Sequence, residues 1–222
     1  MGKIKIRIGL FVGKIIQFGE SYNWYQEKKK YVNVHPSAFL GKPSVCNSPA
    51  KIYMEENTVL YSDSIFIIRN NDVSQKGKFI MRKGASAAEG LLVVTSEHTT
   101  KPPIGVLLKD AWKKQIGEWD ADIVIDEQAW IGANVTLLPG ASVGRSAIVG
   151  AESVVRKKVP PYAIVTGNPA KIVGFVFTPN EMKEHEKKLY PEDKRISPEH
   201  YKKLYEKYYY HRLDEISKFI SL

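Results

Sequence analysis

From Ile125 onward an aliphatic residue returns every sixth position, at Ile125, Ile131, Leu137, Val143, Val149 and Val155. Four residues after each stands a small or β-branched one, at Ala129, Val135, Ala141, Ala147, Ser153 and Val159, and glycine directly follows three of the aliphatics, at Gly132, Gly144 and Gly150. Six is not a helical period, and side chains that alternate along a strand need a turn to reset their direction. One hexad therefore reads as a short strand plus a corner. Three hexads, about eighteen residues, close one turn of a triangular coil, and stacked coils share one continuous core. The aliphatic points inward, the small residue fits near the corner, and the glycine either relieves crowding or supplies a positive φ.

A more worn version runs upstream, with Met81, Ala87 and Val93 six apart and Ala85 and Leu91 in the small-residue position. Segments around 34–45 and 52–68 read as further coils. The pattern vanishes between Thr95 and Ala121, so residues 95–121 must leave the prism as a long excursion, the kind of loop on which function concentrates. After Pro160-Pro161 the repeat ends. Thr178-Pro179-Asn180-Glu181 is a capping box with proline at the first helical position, and Ser197-Pro198 opens a second helix. Tyr201, Leu204, Tyr205, Tyr208, Ile216 and Phe219 fall close to one face of that helix, a stripe suited to packing on the coils or on a neighbouring subunit. The fold expected is all-β: a parallel β-helix over residues 32–174 with an excursion loop, a basic segment before it (1–31) and a helical tail after it (175–222).

The net charge of +9 is mostly N-terminal, since residues 1–31 carry seven Lys/Arg against two Glu. A phosphorylated ligand, an anionic membrane surface or plain solubility would each account for it. No basic stripe interleaved with stacking aromatics forms a nucleic-acid module. The single cysteine, Cys46, permits no intrachain disulfide and suits a reducing cytoplasm. No apolar run reaches the roughly 20 residues that span a bilayer.

The run IVIDEQAWIGANVTLLPGASVGRSAIVGAESVVRKKVPPYAIVTGNPAKIV resembles the C-terminal coils of the hexapeptide-repeat acyltransferases, and AAEGLLVVTSEHT extends the likeness upstream. Within that family the chain, tail included, looks most like the O-acetyltransferases of bacterial capsule, O-antigen or exopolysaccharide synthesis. The resemblance implies a left-handed coil, a homotrimer with active sites between subunits, acetyl-CoA as co-substrate, a sugar or glycan acceptor and no metal. It also implies a role for His98, which among the five histidines is the one at the root of the excursion. A sugar hydroxyl is a poor nucleophile while protonated, and an imidazole with pKa near ~6.5 can remove its proton as the thioester is attacked. Glu97, where relatives often have Asn, either orients that imidazole or faces solvent.

On the cofactor side the resemblance places pantetheine beside small residues at Gly132, Ala133 and Ala151. The Ala133 amide would face the thioester oxygen, Trp130 would lie along the arm or at the subunit interface, and Arg156 and Lys171 would stand near the phosphates. Lys157 and Lys158 read as a solvated face. Tyr61 and Asp63 align with sugar-binding positions of galactoside acetyltransferases, or are structural. A γ-class carbonic anhydrase would need three histidine ligands, and only His35 and His98 lie near the coils. A xenobiotic acetyltransferase acting on antibiotics is the nearest enzymatic alternative, and an inactive β-helix scaffold the non-enzymatic one.

The N-terminus leaves two readings. Residues 8–18, IGLFVGKIIQF, are strongly apolar among Lys3, Lys5, Arg7 and Lys14. They either cap the open end of the first coil, the preferred reading, or lie as a helix in a membrane interface as a peripheral anchor.

Overall fold

The computed structural model describes residues 2–116 and 119–214, with side chains from residue 11. Short parallel strands build three faces of a prism. In chain order the first face receives Phe39–Leu40, Val59–Leu60, Ser86–Ala87, Trp130–Ile131, Ile148–Val149 and Ala163–Thr166, closed by the antiparallel Lys171–Phe175. The second receives Val45–Cys46, Ile65–Ile67, Leu92–Val94, Thr136–Leu137 and Val154–Val155. The third receives Ile52–Met54, Phe79–Met81, Ile123–Ile125, Ser142–Val143 and Lys158–Val159. The register confirms the coil length: Val124 pairs with Ser142, Trp130 with Ile148 and Thr136 with Val154, each eighteen residues on.

The hexad aliphatics and their small partners are buried together, from Ile125 and Ala129 through Val149 and Ser153. Both glycine explanations offered by the sequence have a place, but at different positions. A Cβ on Gly132 would stand 2.6 Å from the Ala151 nitrogen, and one on Gly144 2.6 Å from the Pro161 nitrogen, so these glycines let successive coils touch. Positive φ falls instead on the residue just before the small one, at Gln128 (57°), Asn134 (55°), Ser146 (54°) and Glu152 (60°). Only one of the five corners from 128 to 152 uses glycine for this turn, Gly140 before Ala141.

The tail follows its sequence signals. Helix α3 (Pro179–Leu189) opens with the reciprocal capping box: the Glu181 amide donates to Thr178 Oγ1, and Glu181 Oε2 accepts from the Thr178 amide at 2.8 Å. Helix α4 (Pro198–Tyr208) is capped by Ser197, and it buries Tyr201 and Tyr205. Ile216 and Phe219 of the expected stripe lie outside the described residues. A buried carboxylate latches this tail to the coils. Glu186, 1% exposed, accepts from Arg145 Nη1 (2.9 Å), Tyr162 Oη (2.8 Å), Tyr201 Oη (3.2 Å) and the Ile196 amide (3.1 Å).

The N-terminal segment corrects an expectation. Residues Gly2–Lys28 form one helix, α1. Phe11, Val12, Ile15, Ile16 and Phe18 are exposed on it, so they do not cover the first coil. Among the described side chains, the end of the segment meets the core: Tyr31 is buried, and Trp24 packs edge-on against it at 5.9 Å.

Candidate active site

The excursion is closed at its root. The Ala121 amide donates to the Thr95 carbonyl (2.9 Å), and Ser96–Glu97 pairs antiparallel with Trp119–Asp120. Charge fixes this hairpin to the prism. Arg69 grips Asp120 Oδ1 through Nη2 (2.8 Å) and Nε (3.1 Å), and Asp122 Oδ1 accepts from the amides of Gly77 (2.8 Å) and Lys78 (2.9 Å). Beneath them Lys51 is fully buried, donating to Asn70 Oδ1 and the Lys76 carbonyl, both at 2.8 Å. Burial lowers its pKa, while Asp120, Asp72 and Asp122 favour the charged form.

His98 is the first residue beyond this root, and its side chain is exposed. Its ring lies against Trp112 at 5.1 Å between centroids and 30° between planes. Trp112 belongs to helix α2 (Leu108–Lys113) of the excursion, and its indole Nε1 donates to the Thr99 carbonyl at 3.1 Å. The indole thus ties the far limb of the loop to the backbone beside the histidine. Trp112 was not legible as a site residue, because the excursion carries no period that says which of its side chains turn back. Glu97 is exposed and stands opposite Trp119 in the hairpin.

The cofactor candidates divide into two groups. Arg156 and Lys171 line one cavity of about 330 Å³ at the last coil, with Lys157, Lys158, Tyr208 and Arg212. Among the described residues no carboxylate lines it. Arg212 Nη1 is held by the Ile172 carbonyl at 2.8 Å. Lys157 and Lys158, read from sequence as a solvated face, therefore share the cavity, and Arg212 of the tail was missed. Five cations lining one cavity suit a polyanion such as a phosphate-bearing tail.

Trp130, Gly132, Ala133 and Ala151 lie elsewhere. Trp130 is half exposed on the first face, and the other three follow it on the edge between first and second faces. The Ala133 amide donates to no atom among the described residues, whereas its carbonyl accepts from Glu152. Tyr61 and Asp63 share that edge. Asp63 is a corner residue with φ of 64° whose carboxylate accepts from Ser44 at 3.2 Å, and Tyr61 is exposed beside Phe39 at 5.9 Å.

His98 and Arg156, by contrast, both follow second-face strands and so sit on the edge between second and third faces. Two strand spacings, about 10 Å along the axis, separate their coils. One whole face of the prism lies between this edge and the one bearing Ala133. A single chain does not bring the two groups together.

A coil of short parallel strands repeating every six residues and interrupted by one long loop, with an imidazole at the loop root, defines a hexapeptide-repeat transferase scaffold. Residues 122–157 match the family model described as bacterial transferase hexapeptide, six repeats. Over 134 residues the chain is 33% identical to a protein of Lysinibacillus sphaericus named as a macrolide acetyltransferase, covering 57% of this chain and 69% of that one. A stretch of 51 residues is 47% identical to an Escherichia coli K12 protein named as a lipopolysaccharide biosynthesis O-acetyl transferase, 23% of this chain and 26% of the relative. The acetyl-CoA complex of a hexapeptide-repeat acetyltransferase from Vibrio cholerae superposes with a TM-score of 0.51 at 20% identity, over 72% of this chain and 79% of that one. The chain belongs to the hexapeptide-repeat acetyltransferases, and it is an acyltransferase.

Proposed function

We propose that the protein is an acetyl-CoA-dependent O-acetyltransferase whose acceptor is a sugar hydroxyl of a surface glycan, with His98 as general base. The observation that carries this reading is that an exposed, Trp112-braced imidazole and the first cation of a five-cation cavity follow strands of the same face in coils two apart, about 10 Å along the axis. Acetyl-CoA spans such a distance with its phosphates in the cavity and its thioester at the imidazole. His98 takes the acceptor's proton as the hydroxyl oxygen attacks the thioester carbonyl. The C–S bond then breaks, the thiolate of CoA recovers the proton, and an acetyl ester remains on the acceptor. The free Ala133 amide, Gly132, Ala151 and Trp130 serve the thioester end from a neighbouring copy, where an N–H aimed at the oxyanion is of most use.

That assignment needs a second copy, and a homotrimer supplies three equivalent grooves, each between one chain's second–third edge and the next chain's first–second edge. Exposed Phe39 and Trp130 on the first face, Tyr61 on the edge beside it, and Val45 and Ile67 on the second face support such lateral packing. Tyr61, Asp63 and Glu97 are read as lining the acceptor side. The coil is read as left-handed, a reading supported by membership of the family, and the setting as a reducing cytoplasm.

A second reading is favoured by the Lysinibacillus relative: an antibiotic hydroxyl as acceptor with the same chemistry. Release of CoA thiol, measured with a panel of glycan-type sugars and with macrolides and chloramphenicol, decides between them. Turnover confined to the antibiotics would replace the sugar reading, and no turnover with any acceptor would remove both.

A further inference from the structure

We propose that helix α1 is a docking surface for an anionic lipid bilayer, on which it lies flat. The helix (Gly2–Lys28) is joined to the prism at its C-terminal end, where Trp24 packs on Tyr31. Before that point, among the side chains described from residue 11 on, the bulky ones face solvent: Phe18 is 74% exposed and Phe11 66%, with Val12, Ile15, Ile16, Tyr22 and Tyr25 also exposed. Among the described residues no helix is long and apolar enough to cross a membrane, so a bilayer can take this surface only at its interface. Charge selects the kind of bilayer. Lys3, Lys5, Arg7 and Lys14 precede the first acidic residue, Glu20, and such a run meets anionic headgroups favourably. Lys14 is three residues after Phe11 and four before Phe18, so the cation borders the apolar stripe, as an interfacial helix requires.

The competing occupant is another copy of the same helix. Phe11, Ile15, Phe18, Tyr22 and Tyr25 are spaced four and three apart, the spacing of a coiled-coil seam. Two features disfavour it. Val12 and Ile16 lie off the seam, and a helix bundle would leave them wet while a bilayer buries them with the stripe. The flanking positions carry no opposite charges to pair, so parallel copies would bring four like charges each into one bundle. Gly9, Gly13 and Gly19 also weaken the helix in isolation, which an apolar interface offsets.

The test is co-sedimentation of the full-length protein with phosphatidylglycerol/phosphatidylcholine vesicles and with phosphatidylcholine vesicles, at low and high salt. The parent should bind the anionic vesicles at low salt, and binding should fall about tenfold or more at high salt. Phe11→Asp with Phe18→Asp should abolish it while solution mass and acetyl-CoA turnover match the parent. Absence of binding, equal binding to both vesicle types, or undiminished binding by the double variant overturns the proposal. So does a parent that ignores vesicles while the double variant loses oligomeric mass, which would assign the stripe to contact between copies.

Discussion

Replacing Glu186 with Gln tests how the tail is held, because the change conserves volume and removes only charge. One carboxylate oxygen can still accept from Tyr162 and Tyr201 as an amide carbonyl. The other becomes an NH₂ facing Arg145 Nη1 at 2.9 Å and the Ile196 amide at 3.1 Å, donor against donor. Breaking a buried ion pair from one side costs about 3–5 kcal/mol. The lower end applies, because Arg145 keeps Glu127 (3.1 Å), the Lys194 carbonyl (3.0 Å) and its stacking on Tyr190 at 3.8 Å. At about 2–4 °C per kcal/mol for a chain of this size, ~3 kcal/mol lowers Tm by about 6–12 °C. The same tail supplies Tyr208 and Arg212 to the cationic cavity, so KM for acetyl-CoA should rise several-fold below the new Tm with kcat little changed. Scanning calorimetry and steady-state kinetics read the two effects. The double variant Arg145→Met with Glu186→Leu should cost less than the sum of the two single changes, since neither partner of the Arg145–Glu186 pair is then left as a buried charge facing the other's absence. A Tm within about 2 °C of the parent for Glu186→Gln would refute the latch.

Three further outcomes follow from the geometry. His98→Ala should lower kcat by about 10²–10⁴-fold with Tm unchanged, and near-parental turnover would remove the general base. Trp112→Ala should lower kcat by about tenfold or more through loss of the ring's brace, with KM for acetyl-CoA unaffected; a purely structural indole would move Tm instead. Lys171→Glu should raise KM for acetyl-CoA well above any change for the acceptor, and the gap between variant and parent should narrow with dephospho-CoA; equal effects on both substrates would place Lys171 outside the phosphate cavity.

The hexads are legible because geometry constrains several of their six positions at once. An inward aliphatic, a small residue four later and a residue tolerant of positive φ just before it recur at every corner from 128 to 152. The positive-φ position hides best, since Gln128, Asn134, Ser146 and Glu152 occupy it as readily as glycine, and the structure alone separates that role from close approach at Gly132 and Gly144. The upstream coils read as worn because an insertion breaks the count. Ile65 pairs with Leu92, twenty-seven residues on instead of eighteen, and Phe66 and Phe79 fill the prism where aliphatics do later. Lys51 and Trp112 could not be found this way, since one is a charge buried by neighbours distant in sequence and the other sits in a loop without period. The helix α1 was likewise ambiguous, because an apolar run does not say whether it covers a core or faces outward.

The hexad count carries one consequence beyond the fold. Ala133 and Ala151 are eighteen residues apart, so any chain that coils in hexads must stack them on one edge. Glu97 and His98 leave the prism after Leu92–Val94, and Arg156 after Val154–Val155, strands of the same face, so those residues must share the next edge. The separation of the imidazole from the Ala133 amide, which the proposed mechanism uses together, is therefore already in the arithmetic of the sequence. Replacing residues along one edge can never bring the two together within a chain. If the proposed trimer holds, mixing two inactive variants, one altered at His98 and one at Gly132, should therefore restore part of the activity, because some grooves of a mixed trimer would pair an intact His98 edge with an intact Gly132 edge. Complementation absent from verified mixed trimers would show that the chemistry runs on one edge alone.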